Sequence, residues 1–424
     1  MTDESQRTSC CVVGAGPAGA MLSLLLARGG IPVTLLESHR DFDRDFRGDT
    51  IHPSTLEVLA QIGLAERLHE LPHVKAPAFR IVTPTGSHTM AVFSRLPTPF
   101  PYMMIMPQVR FLEFVTDEAK KYPHFKLLLG ANVDRLIEEE GAVRGVGYRT
   151  AEGRGDVRAA VTIAADGRFS RVRKLAGLTP VSLSRTMEVI WFRLPRRPGD
   201  PHEAAGINVG RREVVAVLAR TQEWQIGYVV PQGRFRELRA EGLEAFRESI
   251  VAVLPWLADR VALLADWSAT NLLSVEGSQL TRWHLPGLLL IGDAAHVMLP
   301  VAGVGINCAI ADAVEAVNVL AEPLRAGCVR DSDLAEIQKR RERITRIIQT
   351  WQTRIQEGML HALETGQPVR PPLPLRVILR VPGLRNLPGR VAAFGVRRVR
   401  LQRPEEMPYP MPVSGSACSR GIAW

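Results

Sequence analysis

Three apolar runs, each closing on glycine, punctuate the first 320 residues of the chain: blocks 9–38, 159–175 and 285–320. Each reads as a buried strand, a glycine turn and the start of a helix. Between the second and third blocks, over roughly 181–280, the texture changes. The runs VVAVLAR (214–220) and WQIGYVVP (224–231) are short and bounded by turn residues, as antiparallel strands are. Residues 79–93 read as one more hairpin of that sheet. QVRFLEFVTDEAKKY (108–122) places its apolar residues at helical spacing. The pattern predicts a chain that leaves a nucleotide-binding unit twice and returns to it twice. After about residue 331 comes a long helical stretch, then a proline-rich break at 368–374, a basic helical stretch and a tail carrying Pro404, Pro408, Pro410 and Pro412.

The first block supplies chemistry. Cys10-Cys11-Val12-Val13 opens into Gly14-Ala15-Gly16-Pro17-Ala18-Gly19, a G-x-G-x-x-G turn followed by an apolar helix. Gly14 permits the tight turn, Gly16 lets the backbone approach a pyrophosphate, and Gly19 lets the helix pack close on the strand. The amides at that helix start, over Pro17 and Ala18, then face phosphate. The next strand ends in Glu37, 23 positions after Gly14, near the spacing of an acid that binds a ribose 2′-hydroxyl. An acid there disfavours a 2′-phosphate. FAD and NAD share this fingerprint, so the remainder of the chain must choose between them.

Composition narrows the class. The 46% hydrophobic and 23% charged residues are those of an ordinary globular protein, and no apolar run approaches the ~20 residues of a spanning helix. The polar N-terminus has no secretory pattern. Five scattered cysteines (Cys10, Cys11, Cys308, Cys328, Cys418) without a CxxC pair argue against a disulfide framework and against a metal site. A reducing cytoplasm is the expected location. The net charge of +9 is concentrated between Arg370 and Arg403 and is not interleaved with aromatics, so no nucleic-acid partner is expected. Attachment of that basic region to a membrane surface is an alternative that its two internal prolines and several glycines disfavour, and packing back onto the nucleotide-binding unit is preferred. Oligomeric state is left open.

The third block reads Leu288-Leu289-Leu290-Ile291-Gly292-Asp293-Ala294-Ala295-His296, then Pro300, Gly303, Gly305, Ile306 and Asn307. A buried strand delivers Asp293 where it can accept hydrogen bonds from a polyol, and a glycine-containing loop leads into a helix. GAGPAG, the segment Ala165-Asp166-Gly167-Arg168-Phe169-Ser170-Arg171-Val172-Arg173 and GDAAH occur in that order. Together they resemble the three fingerprints of the single-component FAD-dependent monooxygenases related to p-hydroxybenzoate hydroxylase, across about the first 330 residues. Valine at 301, where the family often has a second proline, is a departure within the ring-contacting loop.

The resemblance implies an α/β fold: a three-layer Rossmann-like FAD-binding domain (1–78, 101–180 and 281–330), an inserted antiparallel-sheet substrate domain (79–100 and 181–280), a C-terminal helical region (331–403) and a tail (404–424). It implies that Asp293 binds the ribityl chain and that the Gly303–Asn307 loop contacts the isoalloxazine ring. Asp166 and Gly167 correspond to a motif tied to FAD and NAD(P)H, although Asp166 also suits a turn cap. Arg47, in FRGDTIHPSTLEVL, matches an arginine near the FAD phosphates, and Gln108 a flavin-contacting glutamine; Arg110 is a weaker neighbour. The implied reaction is hydroxylation of an aromatic or polyketide-like small molecule through a flavin C4a-hydroperoxide, with NAD(P)H and O2. No catalytic base is assigned: His52 and His296 are candidates, with a structural role favoured for His296. Met103, Met104, Met106, Trp191, Phe192, Trp224 and Tyr228 are candidate substrate-lining residues. A flavoprotein reductase or non-redox cyclase on the same scaffold is the alternative enzyme reading, and a non-catalytic flavin-binding partner the non-enzyme one. A halogenase is set aside because no W-x-W-x-I-P segment is present.

Overall fold

The glycine-closed apolar runs become neighbouring strands of one parallel sheet. The computed structural model describes residues 6–42, 48–84, 86–366, 381 and 386–404. Phe125–Leu129, Val33–Glu37, Gln6–Val13, Arg154–Ala164 and Leu288–Leu290 lie side by side in that order, all parallel. Antiparallel strands extend the sheet: His284–Leu285 at one edge, and the pair Asn132–Glu139 and Ala142–Arg149 beside Arg154–Ala164. Register decides the function of this sheet. Val13 is level with Leu36 and with Ala164, and Ala164 is level with Leu290. The residues that follow, Gly14, Glu37, Ala165 and Ile291, therefore emerge together at the carboxyl edge, where open α/β sheets bind ligands.

Helix α1 (Pro17–Arg28) is buried from Ala18 to Arg28. Its leucines are inaccessible because α4 (Gln108–Ala119) and α8 (Gly305–Arg325) lie against it on either side. A helix apolar on all faces is stable only as an interior layer, which is what the run AMLSLLLA requires. Helices α2 (Pro53–Gln61) and α3 (Ala65–His69) follow the first excursion, and α5 (Arg171–Leu175) follows the second block.

A second sheet has seven strands in the order Asn271–Val275, Met187–Pro195, Glu223–Pro231, Val214–Ala219, Ala205–Val209, Ala78–Thr83, Gly86–Val92. All neighbours are antiparallel except Ala205–Val209 with Ala78–Thr83. Strand alternation gives it two apolar faces. One carries Phe192, Trp224 and Tyr228 and packs on α6 (Arg234–Glu241) and α7 (Leu243–Val253) through Leu238, Phe246 and Ile250. The other carries Met187, Val189 and Trp191 and packs on Met359, Leu360 and Leu363 of α9 (Asp331–Thr365).

The aromatic set proposed to line the substrate is thus divided. Phe192, Trp224 and Tyr228 fill the core beneath α7, with Trp224 donating from Nε1 to Asp200 at 2.7 Å. Met104 and Met106 join the core of the parallel-sheet unit, and Met103 packs with Phe93 and Phe394. Trp191 alone of the four sheet aromatics faces α9. Alternation had placed residues on two faces, and the helices chose which face became core.

The C-terminal helix (Leu387–Phe394) packs against Phe93 and Ala91, and Leu401 exchanges two hydrogen bonds with the Gln61 side chain. Arg398 and Arg400 pair with Glu57, and Arg403 pairs with Glu322. These basic residues are docked on α2 and α8, the packing preferred for this region. Among the described residues no helix is long and apolar enough to cross a membrane.

Candidate active site

The first loop is shaped by what cannot fit in it. Gly14 has φ +97°, and a Cβ there would lie 2.6 Å from the Ala165 carbonyl oxygen; at Gly19 it would lie 1.9 Å from the Gly14 carbonyl oxygen. Gly16 caps α1 with no side-chain hydrogen bond and Pro17 takes the first helical position, so no side chain satisfies the first-turn amides of Ala18 and Gly19. Glu37, 3% exposed, accepts from the Ala15 amide at 2.8 Å and the His39 amide at 3.0 Å. Its carboxylate therefore fixes the glycine loop as well as standing at the end of its strand.

Asp166 begins the second loop as a cap. It accepts from the Ser170 hydroxyl at 2.6 Å and the Val172 amide at 3.0 Å, closing the turn into α5. Burial raises its carboxyl above the usual range, against the pull of those bonds. Arg173 joins the second loop to the third: its guanidinium donates to the Ala294 carbonyl at 2.8 Å and the Arg168 carbonyl at 2.5 Å. Asp293 stands half-buried beside the positive charges of Arg168 and Arg173.

The third loop rests on a buried triad that motif reading missed. Asp312 of α8, fully buried, accepts from the Gly292 amide at 2.9 Å, from His296 Nε2 at 2.6 Å and from Arg341 of α9 at 2.6 Å. Burial alone would raise the Asp312 carboxyl, but His296 and Arg341 outweigh it and hold the group down at about 2. His296 accordingly serves structure. The available signal was Asp312 itself, a carboxylate interrupting the apolar helix AIADAVEAV.

Beyond it, Gly303 accepts from the Thr50 hydroxyl at 2.8 Å. Asn307 accepts from the His52 amide at 2.9 Å and the Thr55 hydroxyl at 2.8 Å, tying the start of α8 to segment 48–55. Ile306 lies against Gly48, Gly305 is half-buried and Pro300 is exposed. Gln108 opens α4 half-buried, with its amide bonded to Asp49. Arg47 lies outside the described residues, and Arg110 is exposed and pairs with Glu113.

Two further features border segment 48–52. Asp49 forms a buried ion pair with Arg220 of the second sheet, at 2.6 Å, bridging the two sheet units. Burial raises the Asp49 carboxyl more than Arg220 lowers it. His52, fully buried, has Nδ1 2.7 Å from the Ala392 carbonyl oxygen. A carbonyl only accepts, so the proton is on Nδ1 and Nε2 is a bare acceptor; among the described residues no protein group bonds it. Burial pushes the imidazole down to about 4, so it is neutral at pH 7. Among the described residues no cluster of His, Cys, Asp and Glu could hold a metal ion.

All three loops, the start of α8 and segment 48–52 meet around the carboxyl edge of one parallel sheet. The glycine cradle, an uncapped helix start and an acid at the end of the next strand suit an ADP moiety. Residues 7–350 match the family described as FAD binding domain. The chain belongs to the family of FAD-dependent monooxygenases. Over 408 residues it is 33% identical to 6-methylpretetramide 4-monooxygenase of Streptomyces rimosus, covering 94% of this chain and 95% of that one. It is 26% identical to 12-dehydrotetracycline 5-monooxygenase/anhydrotetracycline 6-monooxygenase of Streptomyces rimosus subsp. rimosus, covering 73% of this chain and 61% of that one. In fold it resembles p-nitrophenol 4-monooxygenase PnpA from Pseudomonas putida, with TM-score 0.72 and 19% identity over 95% of this chain and 96% of that one. This monooxygenase binds FAD, and its α/β architecture is the family's.

Proposed function

We propose that this monooxygenase hydroxylates a fused-ring aromatic polyketide, with NAD(P)H as reductant and O2 as the oxygen source. The observation that carries the substrate class is the near end-to-end likeness to 6-methylpretetramide 4-monooxygenase, at 33% identity over 94% of this chain. The bound FAD supplies the redox and oxygen-transfer chemistry. The protein's own residues hold, orient and exclude water. The Ala18 and Gly19 amides and the α1 N-terminus carry the pyrophosphate, with Glu37 at the ribose. Asp293 takes the ribityl chain, and the backbone from Gly303 to Asn307, together with Gln108, borders the ring.

Among the described residues, the buried atoms His52 Nε2 and Trp191 Nε1 have no hydrogen-bond partner. A buried acceptor and a buried donor left open in this way suit a ligand bearing both hydroxyl and carbonyl groups, as phenolic polyketides do. His52 Nε2, held bare by its Nδ1 bond, is the acceptor for a phenolic O–H.

Anaerobic mixing of the holoenzyme with NADH and NADPH separately tests the reading, with and without a panel of phenolic and polyketide ligands. Bleaching of the flavin accelerated by a fused-ring phenol is the expected result. A flavin that stays oxidised with every nicotinamide and ligand pair would leave a non-redox role on the same scaffold as the better account.

A further inference from the structure

Helix α9 buries a polar stripe. Gln338, Arg341, Thr345, Gln349, Gln352 and Gln356 follow one another at intervals of three and four, so they share one face. From Arg341 onward all are buried, with Gln352 at 0% exposure. Three of them, Gln338, Gln349 and Gln352, bond the backbone of one segment, residues 278–301, whereas Arg341 pairs with Asp312, Thr345 bonds its own helix and Gln356 bonds Arg185. Gln338 bonds the Trp283 amide and the Thr281 carbonyl, both at 2.9 Å. Gln349 donates to the carbonyls of Ser278 and Val297, both at 3.0 Å. Gln352 donates to Leu299 at 2.8 Å and to Val301 at 2.9 Å, and accepts from the Leu299 amide at 3.3 Å.

The carbonyls of Val297, Leu299 and Val301 fall on alternate residues. Val297 ends the short strand His296–Val297 that pairs with Ser278–Gln279, and at Pro300 (φ −71°, ψ 8°) the backbone turns into the 3-10 turn Val301–Gly303. Among the described residues no strand pairs with 298–301, and the amide side chains of α9 bond its carbonyls instead. Gln349 reaches the Val297 carbonyl, and Gln352, three residues on along the same face, reaches those of Leu299 and Val301. Two glutamines therefore span three carbonyls. On its opposite flank the same loop is tied down by Thr50 at Gly303 and by Asn307.

We infer that α9 is a splint for the ring-bordering loop, with Gln352 a positioning residue that fixes residues 299–301 and thereby sets where the flavin ring lies. The inference rests on the FAD-site reading above, in which the backbone from Gly303 to Asn307, two residues beyond the Val301 carbonyl that Gln352 holds, borders the ring. Gln352 touches neither cofactor nor substrate and acts through the Leu299 and Val301 backbone.

The test compares full-length wild type, Gln352→Met and Gln356→Met. Both substitutions keep volume and remove an amide from the same helix face. Gln356, however, bonds the Arg185 carbonyl, away from the loop, at 2.9 Å. Three readouts are taken: hydrogen exchange of peptides spanning 297–303, the FAD dissociation constant, and the visible spectrum of bound FAD. For Gln352→Met, loop exchange rises at least tenfold, FAD binds about tenfold more weakly and the flavin spectrum shifts; for Gln356→Met each stays within about twofold of wild type. Gln352→Glu, whose carboxylate cannot donate to two carbonyls, resembles Gln352→Met at neutral pH and regains FAD affinity as the pH falls and the acid becomes a donor. Equal effects of the two Met variants, or unchanged loop exchange in Gln352→Met, would overturn the splint. Wild type that takes up no FAD would instead sink the cofactor reading, and the exchange data would still judge the splint.

Discussion

Helix α1 is buried nearly all round and α9 along one face, and they are buried by opposite means. In α1 the interior is aliphatic: Met21, Leu22, Leu24, Leu25 and Leu26 are inaccessible among the sheet, α4 and α8. In α9 the middle of the buried face is Arg341, Thr345, Gln349, Gln352 and Gln356. Apolar burial is non-directional and scales with area, so α1 stabilises the sheet without fixing any one atom of its neighbours. Polar burial is directional and tolerates little displacement, because an unmade bond leaves a costly buried group. The first helix supplies cohesion. The second fixes the course of an irregular loop that has no strand beside it.

The comparison breaks most visibly at Arg341. Replacing it with methionine strips the buried Asp312 carboxylate of its guanidinium partner, and a loss of about 3–5 kcal/mol in urea-unfolding free energy is expected. Pairing that change with Asp312→Leu should recover only a small part of the loss, since it removes the unpaired buried carboxylate but takes the acceptor from the Gly292 amide and His296 Nε2. A single variant that unfolds within 1 kcal/mol of wild type would refute the triad's importance. On the apolar side, Leu25→Ala in α1 is expected to cost about 2–5 kcal/mol by the same measurement. The protein that remains folded should bind FAD within about threefold of wild type, unlike Gln352→Met.

Acid titration sharpens the contrast in a smaller range. His52 titrates near 6.5 when unfolded and about 4 when folded, so between those values the unfolded chain binds the extra proton. Stability from keeping His52 neutral is present above pH 6.5 and falls as the pH drops toward 4, by up to about 3 kcal/mol. His52→Phe should flatten that part of the stability–pH profile, and an unchanged slope would contradict the assignment. Asp312 behaves oppositely: its depressed carboxyl contributes stability above about 4 that is lost as the pH falls toward about 2. The smallest effect sets the floor. Arg234→Ala on exposed α6, which pairs with Glu237 and Glu241, should change stability by less than about 1 kcal/mol.

The sequence by itself determined the carboxyl-edge loops, the α1 interior helix and the FAD-binding monooxygenase class. Each of these is written in a contiguous stretch whose glycines and apolar run have one structural use. Helix α9 was legible as a helix, because its length and spacing are local. What its polar stripe bonds was not, since Gln352 and Leu299 lie 53 positions apart. The same holds for Arg173 with Ala294 and for Asp49 with Arg220, 121 and 171 positions apart. Asp166 shows the limit within a motif: Ser170 and Val172 are close in sequence, yet only the turn geometry made them its partners. Phe192, Trp224 and Tyr228 show it for the sheet. A period of two states that a strand has two faces, and only the packing of α7 against one of them decided that these rings would be core.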